Sequence, residues 1–361
     1  MDMDAVLEKA VTTPGVSTRD ELVALLSYPD AQTLFAAAYG VKRREVGGTV
    51  YFRGLVEFGN VCEKDCFYCG IRRSNSKVHR YRMTAREIVA AAERAFNDGY
   101  GSVVLQSGEM TSAENAAFVE DVLRRIHAFG GDDFGITLSL GEQTEDTYRR
   151  WREAGAHRYL LRIETSNPGL YAGLHPADHS WSRRRECLHL LRRCGYQVGT
   201  GVMVGLPGQT LDDLAADIEF FAAEDMDMIG MGPYVPHADT PLGRDADRSP
   251  EAAAARFDLG LRMIAVTRLH MHDVNIAAST ALQALDPEGR EKGLLAGANV
   301  VMPNVTDVRY RSDYRLYDGK PCLDEDSGRC RKCLEGRIRK TGETVDWGKR
   351  GDSPHWRRRC G

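Results

Sequence analysis

An eight-stranded α/β barrel with short extensions at both ends is the fold this sequence predicts, on three observations. Its 361 residues suit one barrel of about 250 residues plus extensions. Eight short apolar runs alternate with seven amphipathic stretches along the middle of the chain. Most of the runs are apolar enough to be covered on both faces, as parallel strands are. The runs are 55–60, 102–109, 135–142, 157–166, 197–207, 228–236, 275–280 and 299–305. The amphipathic segments between them are 86–98, 113–129, 145–154, 184–194, 211–224, 251–270 and 287–296. A doubly wound open sheet competes for the same alternation. No repeat of solenoid type is visible.

The two ends read differently. Residues 1–50 predict a helical extension, with a capping box at Thr18-Arg19-Asp20-Glu21 and Asp30 as a second cap. Residues 51–310 hold the barrel. Residues 311–361 lose the alternation and read as a surface-hugging extension.

Hydrophobic residues at 42% and charged residues at 28% are ordinary globular usage, which excludes a disordered chain. A formal charge of -4 provides no global basic field, so no nucleic-acid partner is expected. No apolar run approaches the roughly 18–20 residues of a membrane span. The acidic start Met1-Asp2-Met3-Asp4 lacks the apolar core of a secretory signal, which predicts a cytoplasmic protein.

Nine cysteines, six of them in two tight groups, point to metal rather than to a disulfide framework. The first group is Cys62-Glu63-Lys64-Asp65-Cys66-Phe67-Tyr68-Cys69, just after the first run. Thiolates are soft, charged donors suited to iron and zinc. Three of them on a cubic 4Fe–4S cluster leave one iron open to a small chelating ligand. The alternative is a zinc knuckle completed by a distant residue such as His79.

In an α/β barrel the C-terminal ends of the strands carry the chemistry. Several of the predicted strands end in groups that apolar packing does not explain: Glu57, Gln106-Ser107-Gly108-Glu109, Thr137 and Ser139, Arg162 and Glu164, and Ser279-Thr280. Together they predict a deep polar cavity.

Cys-x3-Cys-x2-Cys with an aromatic before the last cysteine resembles the radical S-adenosylmethionine (SAM) superfamily, and Gly108-Glu109 is similar to its glycine–glutamate motif. Longer strings, among them 54–58, 70–75, 159–166 and 199–210, resemble the HydE family, the radical SAM maturases of FeFe hydrogenase. The resemblance runs from about Tyr51 to Cys333. Biotin synthase and methylornithine synthase share the fold and some of these blocks.

The resemblance implies that Cys62, Cys66 and Cys69 bind a 4Fe–4S cluster with SAM on its open iron. It implies that Glu109 accepts from the SAM amine, that Glu164 meets the ribose or amine, and that Arg183 meets the carboxylate. Tyr68, Gln106, Ser107, Gly108, Ser139 and Met203 complete the implied cofactor surface. Thr137, Arg162, Ser279, Thr280, Met302 and Tyr314 would line the cavity of an anionic or organometallic substrate. Arg162 offers that anion a planar, permanently charged fork. The implied reaction uses the 5′-deoxyadenosyl radical on an iron–cysteine synthon carrying CO and cyanide. The maturases HydG and HydF would be partners before and after it, with a reducing electron donor. The alternatives are a radical mutase or sulfur-insertion enzyme and, from another class, a non-catalytic iron–sulfur carrier or zinc scaffold.

The second cysteine group, Cys322-x7-Cys330-x2-Cys333, predicts an auxiliary iron–sulfur cluster or zinc with a borrowed ligand. It is similar to a second-cluster motif that some HydE proteins carry. Cys187 and Cys194 read as small hydrophobes packed on the barrel.

Overall fold

A computed structural model describes residues 1–324 and 327–360, with all of their side chains except those of 327–330. Eight parallel strands form the barrel: β1 (Thr49–Gly59), β2 (Ser102–Ser107), β3 (Gly135–Ser139), β4 (Arg158–Leu160), β5 (Gln197–Thr200), β6 (Met228–Ile229), β7 (Asn275–Ile276) and β8 (Val300–Val301). They pair in chain order, and β8 also pairs with β1. The ring closes between β7 and β8, where Ala277 bridges Val300 and the Asn299 N–H donates to Ile276 O at 2.9 Å.

The helices follow the apolar periodicity. Helix Ala85–Asn97 opens on a Thr84/Glu87 capping box and helix Leu211–Ala223 on a Thr210/Asp213 box. The expected box at Thr18/Glu21 is also present. Helix Trp181–Arg193 buries Arg184, Cys187, Leu188 and Leu191, one face at helical spacing. Among the described residues, no helix is long and apolar enough to cross a membrane.

Strand order and barrel closure match the expectation, but regular pairing is shorter than the apolar runs. The run 197–207 breaks at Gly201 into β5 and a separate two-residue strand, Met203–Val204. A Cβ on Gly201 would lie 2.0 Å from Gly230 O, so the two backbones meet too closely for any side chain.

The extension at 311–361 is more than a surface tail. The Gly351 carbonyl accepts from Arg53 Nη2 at 3.1 Å and Asn275 Nδ2 at 2.9 Å, inside the N-terminal end of the barrel. The Asp352 carboxylate accepts from Arg158 Nη1 at 2.8 Å and Gln197 Nε2 at 3.3 Å. Arg158, Gln197 and Asn275 are first residues of their strands, so this segment plugs the barrel floor.

Candidate active site

At the other end of the barrel, the C-terminal ends of the strands surround a cavity of ≈ 300 Å³. The loop after β1 carries the first cysteine group, and its shape is set by polar clamps. Asn60 donates to His79 O and Asp313 O and accepts the Tyr81 N–H at 2.8 Å. Arg80 donates to the carbonyls of Asn60, Ile71 and Arg72 at 2.6–2.7 Å. Asp65 turns back onto Arg72 Nη2 at 2.7 Å and the Ser74 N–H at 3.0 Å. Sequence reasoning missed Asn60 and Arg80, whose partners are backbone groups that leave no side-chain pattern.

Cys62, Cys66 and Cys69 all line the cavity. Burial pushes the Cys66 thiol up to about 12 and the Cys69 thiol well above its ordinary range, with the neighbouring sulfurs adding to both. Three such thiols stay protonated until a cationic centre takes them as thiolates. Among the described residues, no three His, Cys, Asp or Glu side chains converge on a single ion. His79, the candidate fourth zinc ligand, is 79% exposed and bonds Asp313.

β2 ends against this loop. A Cβ on Gly108 would lie 2.2 Å from Val61 O, so glycine permits the approach. The Glu109 N–H then donates to Cys62 Sγ at 3.3 Å. Burial raises the Glu109 carboxyl above its ordinary range, although Arg184 and Lys64 pull the other way. Gly141, at φ +75, leaves room for that carboxylate: a Cβ there would meet Glu109 Oε2 at 2.0 Å. Gln106 Nε2 donates to the Tyr314 hydroxyl at 3.2 Å, and the Ser107 hydroxyl donates to Gly108 O at 2.7 Å.

The β4 end brings in Arg162 and Glu164, whose charged groups are 3.0 Å apart. The Tyr68 hydroxyl donates to Glu164 Oε1 at 3.1 Å. Glu164 has φ 68, a left-handed backbone that costs about 1–2 kcal/mol for a residue with a side chain. Ser139, Met203, Ser279, Thr280, Met302 and Tyr314 complete the predicted lining. Tyr317 and Lys320, from the C-terminal extension, also face the cavity and were not anticipated. Lys320 Nζ pairs with Glu57 at 2.5 Å.

Two expected residues lie elsewhere. Arg183 is outside the cavity, where it pairs with Glu186 at 2.8 Å and donates to Gln143 O. Arg184 faces inward instead, binding Glu142 through Nε at 2.5 Å and donating to Arg162 O. One residue along a helix is a turn of about 100°, enough to exchange the two arginines. Thr137 lies below the main cavity, in a pocket of ≈ 20 Å³ that Arg53 and Asn275 also line, where its hydroxyl accepts from Arg158 Nε.

In the second cysteine group, Arg290 Nη2 donates to Cys322 Sγ at 3.7 Å and Cys333 is exposed. The side chain of Cys330 lies outside the described residues. Neither Cys322 nor Cys333 lines the cavity.

Comparison with known proteins follows the same lines. The Radical SAM superfamily profile matches residues 56–221. The chain is 44% identical over 338 residues to the [FeFe] hydrogenase maturase subunit HydE of Thermotoga maritima, covering 92% of this chain and 94% of that one. The chain belongs to the radical SAM superfamily. Within it, the chain is a radical SAM enzyme of HydE type. The 3-methylornithine synthase of Methanosarcina acetivorans is similar at 27% identity, with 83% of each chain covered. A crystal structure of methylornithine synthase superposes with a TM-score of 0.79 at 25% identity, over 95% of this chain and 98% of that one. These family members share the barrel, so the choice between HydE and mutase chemistry rests on sequence identity.

Proposed function

We propose that this chain is a hydrogenase maturase that cleaves SAM reductively and directs the resulting radical onto an anionic iron-bound cysteine synthon bearing CO and cyanide. The observation that carries the reading is the meeting, in one cavity, of three half-buried thiols, Glu109 and Glu164 in a chain 44% identical to HydE. A 4Fe–4S cluster held by Cys62, Cys66 and Cys69 would supply the one-electron reduction that cleaves the sulfonium of SAM.

The chain's own residues do the rest. Cys62, Cys66 and Cys69 hold the cluster, and the Glu109 N–H on Cys62 Sγ stabilises the thiolate form. Glu109 receives the SAM amine. Of Arg183 and Arg184, it is Arg184 that faces the cavity and so is the one placed for the SAM carboxylate. Tyr68 orients Glu164 toward the cofactor, with Gln106, Ser107, Gly108, Ser139 and Met203 around it. Arg162, Ser279, Thr280, Met302 and Tyr314 form the anionic substrate's side of the cavity. The Ser279 hydroxyl is buried and has no hydrogen-bond partner among the described residues, which suits a ligand acceptor. Thr137 shapes the floor through Arg158. HydG as supplier and HydF as acceptor of the product complete the reading, with a low-potential donor and a reducing, cytoplasmic setting. Cys322, Cys330 and Cys333 are assigned an auxiliary metal centre.

The test is anaerobic reconstitution with iron and sulfide, then reduction with SAM present. The parent forms 5′-deoxyadenosine, and Cys62→Ala does not. Equal cleavage by both proteins removes the cluster assignment. Formation of methylornithine from lysine, or biotin from dethiobiotin, transfers the chain to the mutase or sulfur-insertion reading. Cluster transfer without any deoxyadenosine makes it a carrier.

A further inference from the structure

Lys64 lies between Cys62 and Cys66, and its side chain turns into the cavity. Its ammonium stands 3.3 Å from Glu109 Oε1 and 3.1 Å from Glu142 Oε2. One cation thus bridges two carboxylates that project from the ends of neighbouring strands. Glu142 has a second cation in Arg184, while Glu109 has Lys64 as its ion-pair partner among the described residues. Glu109 is 7% exposed, and a carboxylate so buried is costly without a counter-charge.

We propose that Lys64 is a resident stand-in for the cofactor's ammonium group: it neutralises Glu109 while the cavity is empty and hands that carboxylate over when SAM arrives. The proposal rests on the assignment of Glu109 to the SAM amine. The geometry gives the handover a destination, because Lys64 keeps Glu142 after leaving Glu109 and never becomes an unpaired buried charge. It also ties loading to the cluster loop. The Lys64 carbonyl accepts the Arg73 N–H at 2.9 Å, and its neighbours two residues away on either side are cluster thiols, so its backbone is fixed as part of that loop. Lys64 is a positioning residue in this scheme: it sets the affinity for SAM by competing for the same acceptor.

The competition fixes a sign. Removing the ammonium frees Glu109 at the outset, so SAM binds more tightly. A guanidinium, with its planar fork, holds a carboxylate more firmly than an ammonium does, so SAM binds more weakly. A single ion pair in a partly buried site corresponds to about tenfold in affinity.

The experiment is calorimetric titration at pH 8 of the cluster-reconstituted full chain, iron content being checked for each variant. The probes are SAM and 5′-methylthioadenosine, which carries the nucleoside and thioether but no amino acid group. Lys64→Met is expected to bind SAM up to about tenfold more tightly, and Lys64→Arg several-fold more weakly, with methylthioadenosine unchanged in both. Should Lys64→Met fail to hold its cluster, the Lys64→Arg arm decides alone. Weaker or equal SAM binding by Lys64→Met, equal or tighter binding by Lys64→Arg, or a matching change for methylthioadenosine overturns the proposal. Glu109→Gln separates the two layers. If it leaves SAM affinity intact, the assignment of Glu109 is wrong. If it weakens SAM while the Lys64 variants fail, only the handover is wrong.

Discussion

Replacing Asp217 with Asn should stabilise the protein, and increasingly so as pH rises. Asp217 sits fully buried on helix Leu211–Ala223, with Oδ1 accepting the Ser166 N–H at 2.6 Å. Burial pushes this carboxyl up to about 7, helped by nearby Asp213 and opposed by the bonds to Ser166. Its value in an unfolded chain is about 3.9. Between those values the folded state holds a proton that the unfolded state has released. The stability from that proton is complete below about pH 4 and is lost as pH climbs through 7. A carboxyl moved from about 4 to about 7 destabilises the fold by about 4 kcal/mol at pH 8, and the same relation leaves about 1.5 kcal/mol at pH 5. Asn keeps the acceptor for Ser166 but cannot ionise. Its extra N–H bonds impose a cost that does not depend on pH, so the informative quantity is the change in the gap. The stability gap between Asp217→Asn and parent should widen by about 2–3 kcal/mol from pH 5 to pH 8 in urea unfolding followed by circular dichroism. A gap constant to within about 0.5 kcal/mol refutes the reasoning. Ser166 lies two residues beyond strained Glu164, so the destabilising carboxylate anchors the segment that presents a cavity acid.

Three further outcomes follow from particular contacts. Arg184→Ala removes one of the two cations on Glu142, Lys64 remaining, and should cost about 1.5–3 kcal/mol in unfolding experiments and most SAM binding by titration, whereas Arg183→Ala should stay within about 0.5 kcal/mol and bind SAM normally. Asp352→Asn should cost about 3–5 kcal/mol at pH 7, because fully buried Arg158 loses its carboxylate. Despite burial, His157 and Arg158 hold Asp352 well below the usual carboxylate range, so its contribution persists above about pH 4 and fades only as pH falls further, and acid titration of parent and variant should show their stabilities converging there. Lys42 and Glu343 form an ion pair with no exposure, and burial pushes the lysine down to about 8 and the glutamate up. Either single change, Lys42→Met or Glu343→Leu, should cost about 3–5 kcal/mol, while the double variant should lie near the parent in thermal and urea unfolding.

The barrel was legible because its signal is local. The starts of β2, β3, β5, β6 and β7 coincide with the starts of apolar runs, and glycines and caps mark where helices begin and end. β1 begins at Thr49, six residues before the run at 55, because Thr49 and Val50 pair with Thr344 and Val345, a partner almost 300 residues away. Strand ends were overextended for the opposite reason: residues such as Glu109 and Arg162 leave the ladder to face the cavity, and an apolar run does not record where pairing stops. The cysteine triad and Glu109 stood out as motifs. Lys64, Glu142, Tyr317 and Lys320 did not, since charged and aromatic residues in loops are ordinary until folding brings them together. Arg184 was legible in principle. It lies three and four residues before Cys187 and Leu188, on the face that helix buries, and that phase distinguishes it from Arg183.

The plug in the barrel floor bears on how the molecule is made. Asp352 reaches Arg158 across 194 residues of chain, and Gly351 reaches Arg53 across 298. At roughly 5–20 residues per second on the ribosome, about 10–40 s separate the synthesis of Arg158 from that of its counter-ion. For that interval the unfinished barrel carries Arg158 at its base without this counter-ion, and water has access from below. The floor is thus sealed as a late act of biogenesis, after every barrel strand has been made.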